Sequence, residues 1–239
     1  MSEVLFGVIL PQVLRTWGRR ACRLSALVSL AAALACGVTH PAVAQTTAKE
    51  TEPTPLAGQL RPLDLVQSSV SRVVVIVQTL PANATDQANR QVEIRRVAEG
   101  LFNFDDMARR MLAQHWNDGS PEEQKEFVRL FTDLLERSYM TTVRNYPLAT
   151  ITFQGESVSG SYAQVRSRMT AENGVEVPIE YRLAETDGRW AAYDVVVNGM
   201  SLISSYRSQF NSILRRSSFA QLLERMRERE ARLAPQQGQ

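Results

Sequence analysis

The sequence predicts an α+β fold with N-terminal helices, then an antiparallel β-meander, then C-terminal helices that pack back on the sheet. Apolar residues in the first half recur at spacings of three and four, which is the period of an amphipathic helix. Between residues 163 and 183 apolar and charged residues alternate, which is typical of half-buried antiparallel strands. Such a sheet has one apolar and one charged face, so the helices must cover the apolar face.

Residues 1–44 have the pattern of a bacterial export signal. Basic residues precede an uncharged, mainly apolar run of about 15 residues, which is short of the roughly 20 needed to span a bilayer. Small residues at Ala42 and Ala44 then predict cleavage before Gln45. A lipoprotein signal at Cys36, a twin-arginine signal and a permanent anchor are the weaker alternatives. The basic residues are Arg15, Arg19, Arg20 and Arg23.

Removal of the signal changes the composition from which function is judged. Both cysteines, Cys22 and Cys36, leave with it, so the mature chain has no disulfide, thiolate metal site or cysteine nucleophile. The whole chain has 27 Lys+Arg and 25 Asp+Glu, and the signal takes four Arg and one Glu, which leaves 23 against 24. This near-neutral balance argues against a nucleic-acid-binding protein.

The mature chain divides into a leader at residues 45–61, one domain at residues 62–233 and a tail at residues 234–239. The leader and the tail are polar and rich in Pro, Gln or Thr, so we expect both to be flexible. Within the domain, helices are predicted at about residues 63–80, 86–100, 104–114, 120–146, 201–215 and 218–232.

The fourth helix has the clearest start signal. Ser120 is the predicted N-cap, Pro121 takes the first helical position, and Glu123 completes a capping box.

The hairpin between the second and third predicted strands sets the register of the sheet. Asn173 and Gly174 mark its turn. A two-residue loop would pair odd with even positions and place apolar residues opposite charged ones. A three-residue loop with Gly174 in the left-handed conformation keeps both apolar sets on one face and sets Arg166 opposite Glu180. The predicted strands are about residues 150–153, 163–169, 175–183 and 189–197.

One motif runs from Trp190 to Ser201: Trp-x-x-Tyr-Asp, an apolar stretch, and then Gly-x-Ser with an apolar middle residue, entering a helix. Further segments with recognisable patterns are Phe104-Asp105 with Met107-Ala108, Ser120 to Gln124 with Phe127 and Phe131, and the closing helices with Tyr206, Phe210, Phe219, Leu222 and Leu223. Together these segments resemble the MlaC, or toluene-tolerance, family of periplasmic phospholipid-binding proteins. The resemblance covers about residues 62–233 and keeps order and spacing.

The resemblance implies a domain that encloses a deep apolar pocket, with phospholipid as its ligand and no cofactor. It implies a periplasmic carrier that shuttles lipid between an inner-membrane ABC transporter complex with a lipid-binding ring protein and an outer-membrane lipoprotein complex. Such a carrier helps maintain the lipid asymmetry of the outer membrane, and we expect a monomer. The alternatives are a carrier of another lipid, such as a hopanoid, and a small α+β enzyme or ligand-binding module.

Apolar side chains on the inner face of the sheet are the candidates for contact with acyl chains. Alternation places odd positions inward on the strands, although the run Val195-Val196-Val197 is apolar on both sides. Burial of acyl chains gains on the order of 0.8 kcal/mol per CH₂, so apolar contact can dominate binding. The candidates are Val165, Ile179, Tyr181, Tyr193 and Val195 in the sheet, Tyr139, Met140 and Val143 in the long helix, and Met200 and Ile203 near the mouth.

No residue is assigned a catalytic or metal-binding role. His115, the one histidine of the mature chain, has no recognisable acid or nucleophile partner in the sequence and is interpreted as structural. Asp105 and Asp106 begin a helix, where the helix dipole favours acids without a metal. Asp194 and Ser201 are interpreted as groups that bond to nearby backbone or cap a helix.

Overall fold

The computed structural model describes residues 60–79, 82–145 and 150–233, except for the side chains of residues 84, 139–145 and 233. The predicted signal, its cleavage site, the tail and all but the last two residues of the leader lie outside the described residues. The helices are α1 (Pro62–Gln78), α2 (Ala84–Leu101), α3 (Phe104–Leu112), a 3-10 helix (Ala113–Asp118), α4 (Pro121–Asn145), α5 (Leu202–Leu214) and α6 (Phe219–Leu233). The strands are β1 (Thr150–Ser159), β2 (Tyr162–Thr170), β3 (Glu176–Thr186), β4 (Arg189–Val197) and β5 (Met200–Ser201).

The five strands form one antiparallel sheet in the order β1-β2-β3-β4-β5, and the predicted α+β class is confirmed. The predicted hairpin register is also confirmed. Arg166 lies opposite Glu180, Val165 lies opposite Tyr181, and Gly174 has a φ of 75°. The three-residue loop therefore brings the apolar sides of β2 and β3 to one face, which we call the inner face.

Strand β1 continues well beyond the predicted end at Phe153. A bulge at Gln154 separates the pairs Phe153–Ser167 and Gly155–Arg166, and pairing then continues to Ser159. The prediction was too short because the extra residue breaks the alternation that marks a strand in sequence. After the bulge Glu156 lies opposite Val165.

Strand β4 contains a second bulge, and it corrects one predicted site residue. Leu183 pairs with Ala192 and Arg182 pairs with Asp194, so Tyr193 is the extra residue. Val195 stays opposite Tyr181 on the inner face. Tyr193 instead packs against the helices, and its ring lies 6.3 Å from that of Tyr162. The prediction that Tyr193 faces inward was therefore wrong.

The described residues form three hydrophobic clusters. The inner-face cluster joins the sheet to α1 and to the end of α2, and its buried members are Val66, Leu101, Ala163, Val165, Tyr181, Leu183 and Ala192. The helical core is formed by α3, α4, α5 and α6, and its fully buried members include Met111, Leu112, Phe127, Phe131, Phe210 and Leu222. A small third cluster joins Ile76 of α1 to Ile94 and Val97 of α2. Thus α1 covers the inner face of the sheet and packs against α2, while α3 to α6 bury their apolar stripes mainly against one another.

Helix caps follow the sequence signals. Ser120 Oγ accepts a hydrogen bond from Glu123 N while the Glu123 carboxylate accepts one from Ser120 N, so the predicted capping box is confirmed. Ser201 Oγ likewise accepts from Ser204 N at the start of α5, as predicted. Both caps satisfy backbone N–H groups that would otherwise lack partners.

The hairpin glycine gives a test of the register. Nothing lies within 4 Å of a Cβ added at Gly174, so a substitution there acts through the backbone conformation alone. We expect Gly174→Val to lower the free energy of unfolding by about 1–2 kcal/mol, measured by urea denaturation, because a β-branched residue is strained at this φ. Gly174→Asn is the control and should lose less. Equal losses of stability in the two variants would contradict the left-handed conformation of Gly174.

Candidate functional site

The inner face brings four of the candidate residues together. Val165 has 0% of its surface exposed and Tyr181 7%, and Ile179 and Val195 are half-buried beside them. Strand pairing explains the grouping, since Tyr181 lies between Val165 on β2 and Val195 on β4. The cluster is apolar and continuous across three strands, as a surface for acyl chains would need.

The other candidates lie elsewhere or are not described. Ile203 is buried in the helical core, and Met200 is exposed on β5. The backbone of α4 is described through Asn145, but the side chains of Tyr139, Met140 and Val143 lie outside the described residues. Their contact with ligand stays a prediction.

Sequence reasoning missed several inner-face residues. Ala163 and Leu183 follow the same alternation as Val165 and Tyr181, so the signal was present. Ser167 also shares that alternation but is polar. Leu101 gave no signal, because its place in the cluster depends on how α2 meets the sheet.

Exposure differs little between the two ends of the inner face. Ala163, Leu183 and Ala192 are at most 6% exposed and lie in one cluster with Val66 and Leu101 of the helices. Towards the other end of the strands Phe153 and Ile179 are half-buried, while Val177 beyond Ile179 is 3% exposed.

Helix α1 is fixed to the inner face at its N-terminus. The N-cap residue Arg61 makes no side-chain cap, and Glu156 of β1 supplies one instead, accepting a hydrogen bond from Leu63 N at 2.6 Å. Val66, one turn further along, has no exposed surface. One carboxylate and one buried valine thus hold the start of α1 on the sheet.

A polar pair interrupts the apolar inner face. Ser167 is 1% exposed, and its hydroxyl donates to the Ile179 carbonyl oxygen at 3.4 Å. Burial raises the pKa of Tyr181 to about 12, against a smaller lowering by its hydrogen bond with Ser167. The phenol is therefore neutral at physiological pH.

The Asp194 carboxylate connects the sheet to the helical core. It is 3% exposed and accepts hydrogen bonds from Ser201 Oγ at 2.7 Å and Ile203 N at 3.1 Å. Arg182 Nη1 approaches it at 3.5 Å. The interpretation of Asp194 as a capping group is confirmed, and it accounts for the spacing between the Tyr-Asp and Gly-x-Ser parts of the motif.

Tyr193 reinforces the same junction from its corrected position. The Arg110 guanidinium lies 3.9 Å from the centre of its ring, within the range of a cation–π interaction. Arg110 also bonds to Asp106 at 2.8 Å, and Arg207 of α5 donates to the Arg110 carbonyl oxygen. These contacts bind α3, α5 and β4 to one another.

His115 has an acid partner, contrary to the sequence interpretation. Its Nδ1 lies 2.7 Å from Asp118 Oδ2, three residues away on the 3-10 helix.

Among the described residues, no group of three or more His, Cys, Asp or Glu side chains could hold a metal ion. A cleft of about 10 Å³ lies between α4 and α6, lined by Leu130, Asp133, Leu134, Arg137, Met226, Arg229 and Glu230.

Fold and site together define an α+β domain whose apolar sheet face is covered by a helix and whose strand β4 is bonded to a helical core. The chain belongs to the MlaC protein family, whose family model matches residues 67–228, so the resemblance seen in the sequence is confirmed. In the described part of the chain, no helix is both long and apolar enough to span a membrane.

Known proteins agree with this assignment. A Haemophilus influenzae protein named intermembrane phospholipid transport system binding protein MlaC is 22% identical over 178 residues, which are 72% of this chain and 83% of that protein. A Pseudomonas putida toluene tolerance protein, ttg2D, is 27% identical over 108 residues, 45% of this chain and 50% of that protein. The structure of a Ralstonia solanacearum phospholipid-binding protein in complex with a phospholipid has the same fold, with a TM-score of 0.63 and 21% identity, covering 73% of this chain and 99% of that one.

Asp194 can be tested by substitution. We expect Asp194→Ala to lower the free energy of unfolding by about 3 kcal/mol, because Ser201 Oγ and Ile203 N lose their buried acceptor. Asp194→Asn keeps a carbonyl oxygen for Ile203 N and should lose about half as much. Urea denaturation measures both, and an Ala variant as stable as the wild type would show that the carboxylate does not hold α5.

Tyr181 predicts a pH dependence of stability. Its pKa in the folded protein, about 12, lies above the usual 10.0, so the unfolded chain releases the phenol proton first. The contribution of the buried, neutral phenol to folding stability is complete below pH 10 and is lost as the pH approaches 12. We expect the wild type to lose about 2–3 kcal/mol more than Tyr181→Phe over this range. Equal losses in urea denaturation would contradict burial of the phenol.

Proposed function

We propose that the mature chain is a periplasmic carrier that binds phospholipid and shuttles it between an outer-membrane complex and an inner-membrane complex of an ABC-type lipid transport system. It thereby helps maintain outer-membrane lipid asymmetry. The observation that carries the proposal is the family match, which extends from α1 through the sheet into α6. The similar proteins named for phospholipid transport and phospholipid binding support the choice of ligand.

The inner face is the proposed lipid-binding surface. Apart from the Ser167 and Tyr181 hydroxyls its side chains are apolar, and they lie together under α1 and the end of α2, so acyl chains can replace protein contacts there. Two chains of about 16 carbons would gain on the order of 0.8 kcal/mol per CH₂ buried. Affinity then depends mainly on apolar area, and the headgroup needs few contacts.

Lipid entry requires the inner-face cluster to open, because Val165 and Val66 have no exposed surface. Helix α1 covers this face and is therefore the element that would move, which requires the Glu156 cap on Leu63 N to break. Only three of its 17 residues are buried, Pro62, Val66 and Ile76. The strands pair along their whole lengths, so their displacement would break many more hydrogen bonds.

A role as a carrier rather than an enzyme fits the placement of the described titratable groups. His115 and Asp118 form the most enzyme-like pair, and they lie on the 3-10 helix instead of the inner face. Lipid carriage needs no proton transfer and no metal, so His115→Ala should leave lipid binding intact if the fold survives.

The test is native mass spectrometry of the purified mature protein, with extraction of bound lipid. We expect the wild type to carry a phospholipid and Ile179→Trp to lose it at a near-normal melting temperature, because Ile179 is a half-buried member of the proposed lipid-binding surface. Val92→Trp is the control, since Val92 is 57% exposed on α2, and it should keep the lipid. A wild type that takes up no phospholipid, from the cell or from added vesicles, would overturn the proposal.

A further inference from the structure

Helix α2 meets the helical core through charged side chains. Its buried apolar residues pack against α1 and the sheet, and no described residue of α2 belongs to the helical core. The Arg95 guanidinium crosses to α4 instead, where it pairs with Asp133 and its Nε lies 3.1 Å from Glu136 Oε2. The contact between α2 and α4 is therefore ionic.

Helices α1 and α2 form a hairpin whose two members are tied to each other. Ile76 of α1 packs against Ile94 of α2. Arg90 of α2 also donates a hydrogen bond to the Val77 carbonyl oxygen near the end of α1, at 2.9 Å. Displacement of α1 from the inner face would therefore carry α2 with it and pull Arg95 away from α4.

An ionic junction of this kind can part and re-form at low cost. The Asp133 side chain is 16% exposed and that of Glu136 25%, so water reaches both carboxylates when Arg95 leaves. Asp133 also keeps a second cation, because Arg129 Nη1 lies 3.0 Å from it. Separation of partly exposed ion pairs costs far less than separation of two apolar helix faces.

The ionic junction lies next to the part of α4 that lipid is predicted to reach. Glu136 comes one to two turns before Tyr139, Met140 and Val143, the predicted acyl-chain contacts on this helix. Arg95 thus joins the hairpin that would move to the helix that carries those contacts.

We propose that Arg95, Asp133 and Glu136 form a latch that holds the α1–α2 hairpin on α4 in the lipid-free protein and opens when lipid binds. The inference rests on the proposed function and specifies what controls the rate of lipid uptake. The latch adds to the barrier for uptake, because the hairpin has to leave α4 before acyl chains reach the inner face. It stays open while lipid is bound, so it adds nothing to the barrier for release.

The test measures uptake of fluorescently labelled dihexanoyl phosphatidylcholine by the lipid-free mature protein in a stopped-flow instrument. This lipid is zwitterionic, so added salt acts on the latch and not on attraction between lipid and protein. Loss of two partly exposed ion pairs predicts about three- to tenfold faster uptake by Arg95→Met, with an unchanged rate of release. Salt at about 0.5 M should bring the wild-type uptake rate close to that of Arg95→Met.

Two further variants separate the latch from a general effect of charge. Arg96 is the next residue of α2, is exposed, and makes no ion pair within the part of the chain that the structure describes. Arg96→Met should therefore keep both the wild-type rate and its dependence on salt. Arg95→Lys keeps the positive charge and should restore most of the wild-type behaviour.

The outcomes separate the latch from the proposed function. A wild-type uptake rate in Arg95→Met, or equal acceleration in Arg96→Met, would overturn the latch while leaving the carrier intact. A release rate raised by the same factor as uptake would overturn its opening on binding. A wild type that takes up no phospholipid would overturn the carrier and the latch together. Melting curves of the lipid-free variants check folding, and if Arg95→Met fails to fold, Glu136→Gln decides by a smaller acceleration.

Discussion

The buried Asp194 carboxylate bonds strand β4 to the start of α5, and the junction between the sheet and the helical core depends on it. Its two oxygens receive the Ser201 hydroxyl and the Ile203 amide at the start of α5. That helix then carries Tyr206 and Phe210 into the helical core. Because the carboxylate is almost fully buried, loss of it would leave both donors without a water molecule in its place.

The bulge at Tyr193 allows β4 to contribute side chains to both the inner-face cluster and the helical core. Regular alternation would send either Tyr193 and Val195 or Asp194 and Val196 to the inner face. The extra residue instead leaves Ala192 and Val195 on the inner face while Tyr193 and Asp194 both meet the helices. A structural bond to the helical core and two side chains of the inner-face cluster therefore coexist on β4.

Sequence reasoning succeeded where the determinant is local. The Gly174 loop and the Ser120 capping box each depend on a few adjacent residues, and both were predicted correctly. It failed where contacts distant in sequence decide, as in the two bulges and in the cap that Glu156 gives α1 across 93 positions. The pairing of His115 with Asp118, three residues apart, was readable at helical spacing and was overlooked. Of the candidate site, Val165, Ile179, Tyr181 and Val195 came together because alternation alone placed them.

Closure of the inner face by the protein itself has a consequence for the proposed carrier. Val66 and Leu101 occupy part of the apolar surface that acyl chains would use. A lipid that binds there would have to displace these two side chains before its own contacts with the sheet could form. The net gain is then smaller than the transfer of the same chains from water to an empty cavity, at about 0.8 kcal/mol per CH₂. Weaker net binding favours release of the lipid, which suits the proposed carrier better than tight retention would.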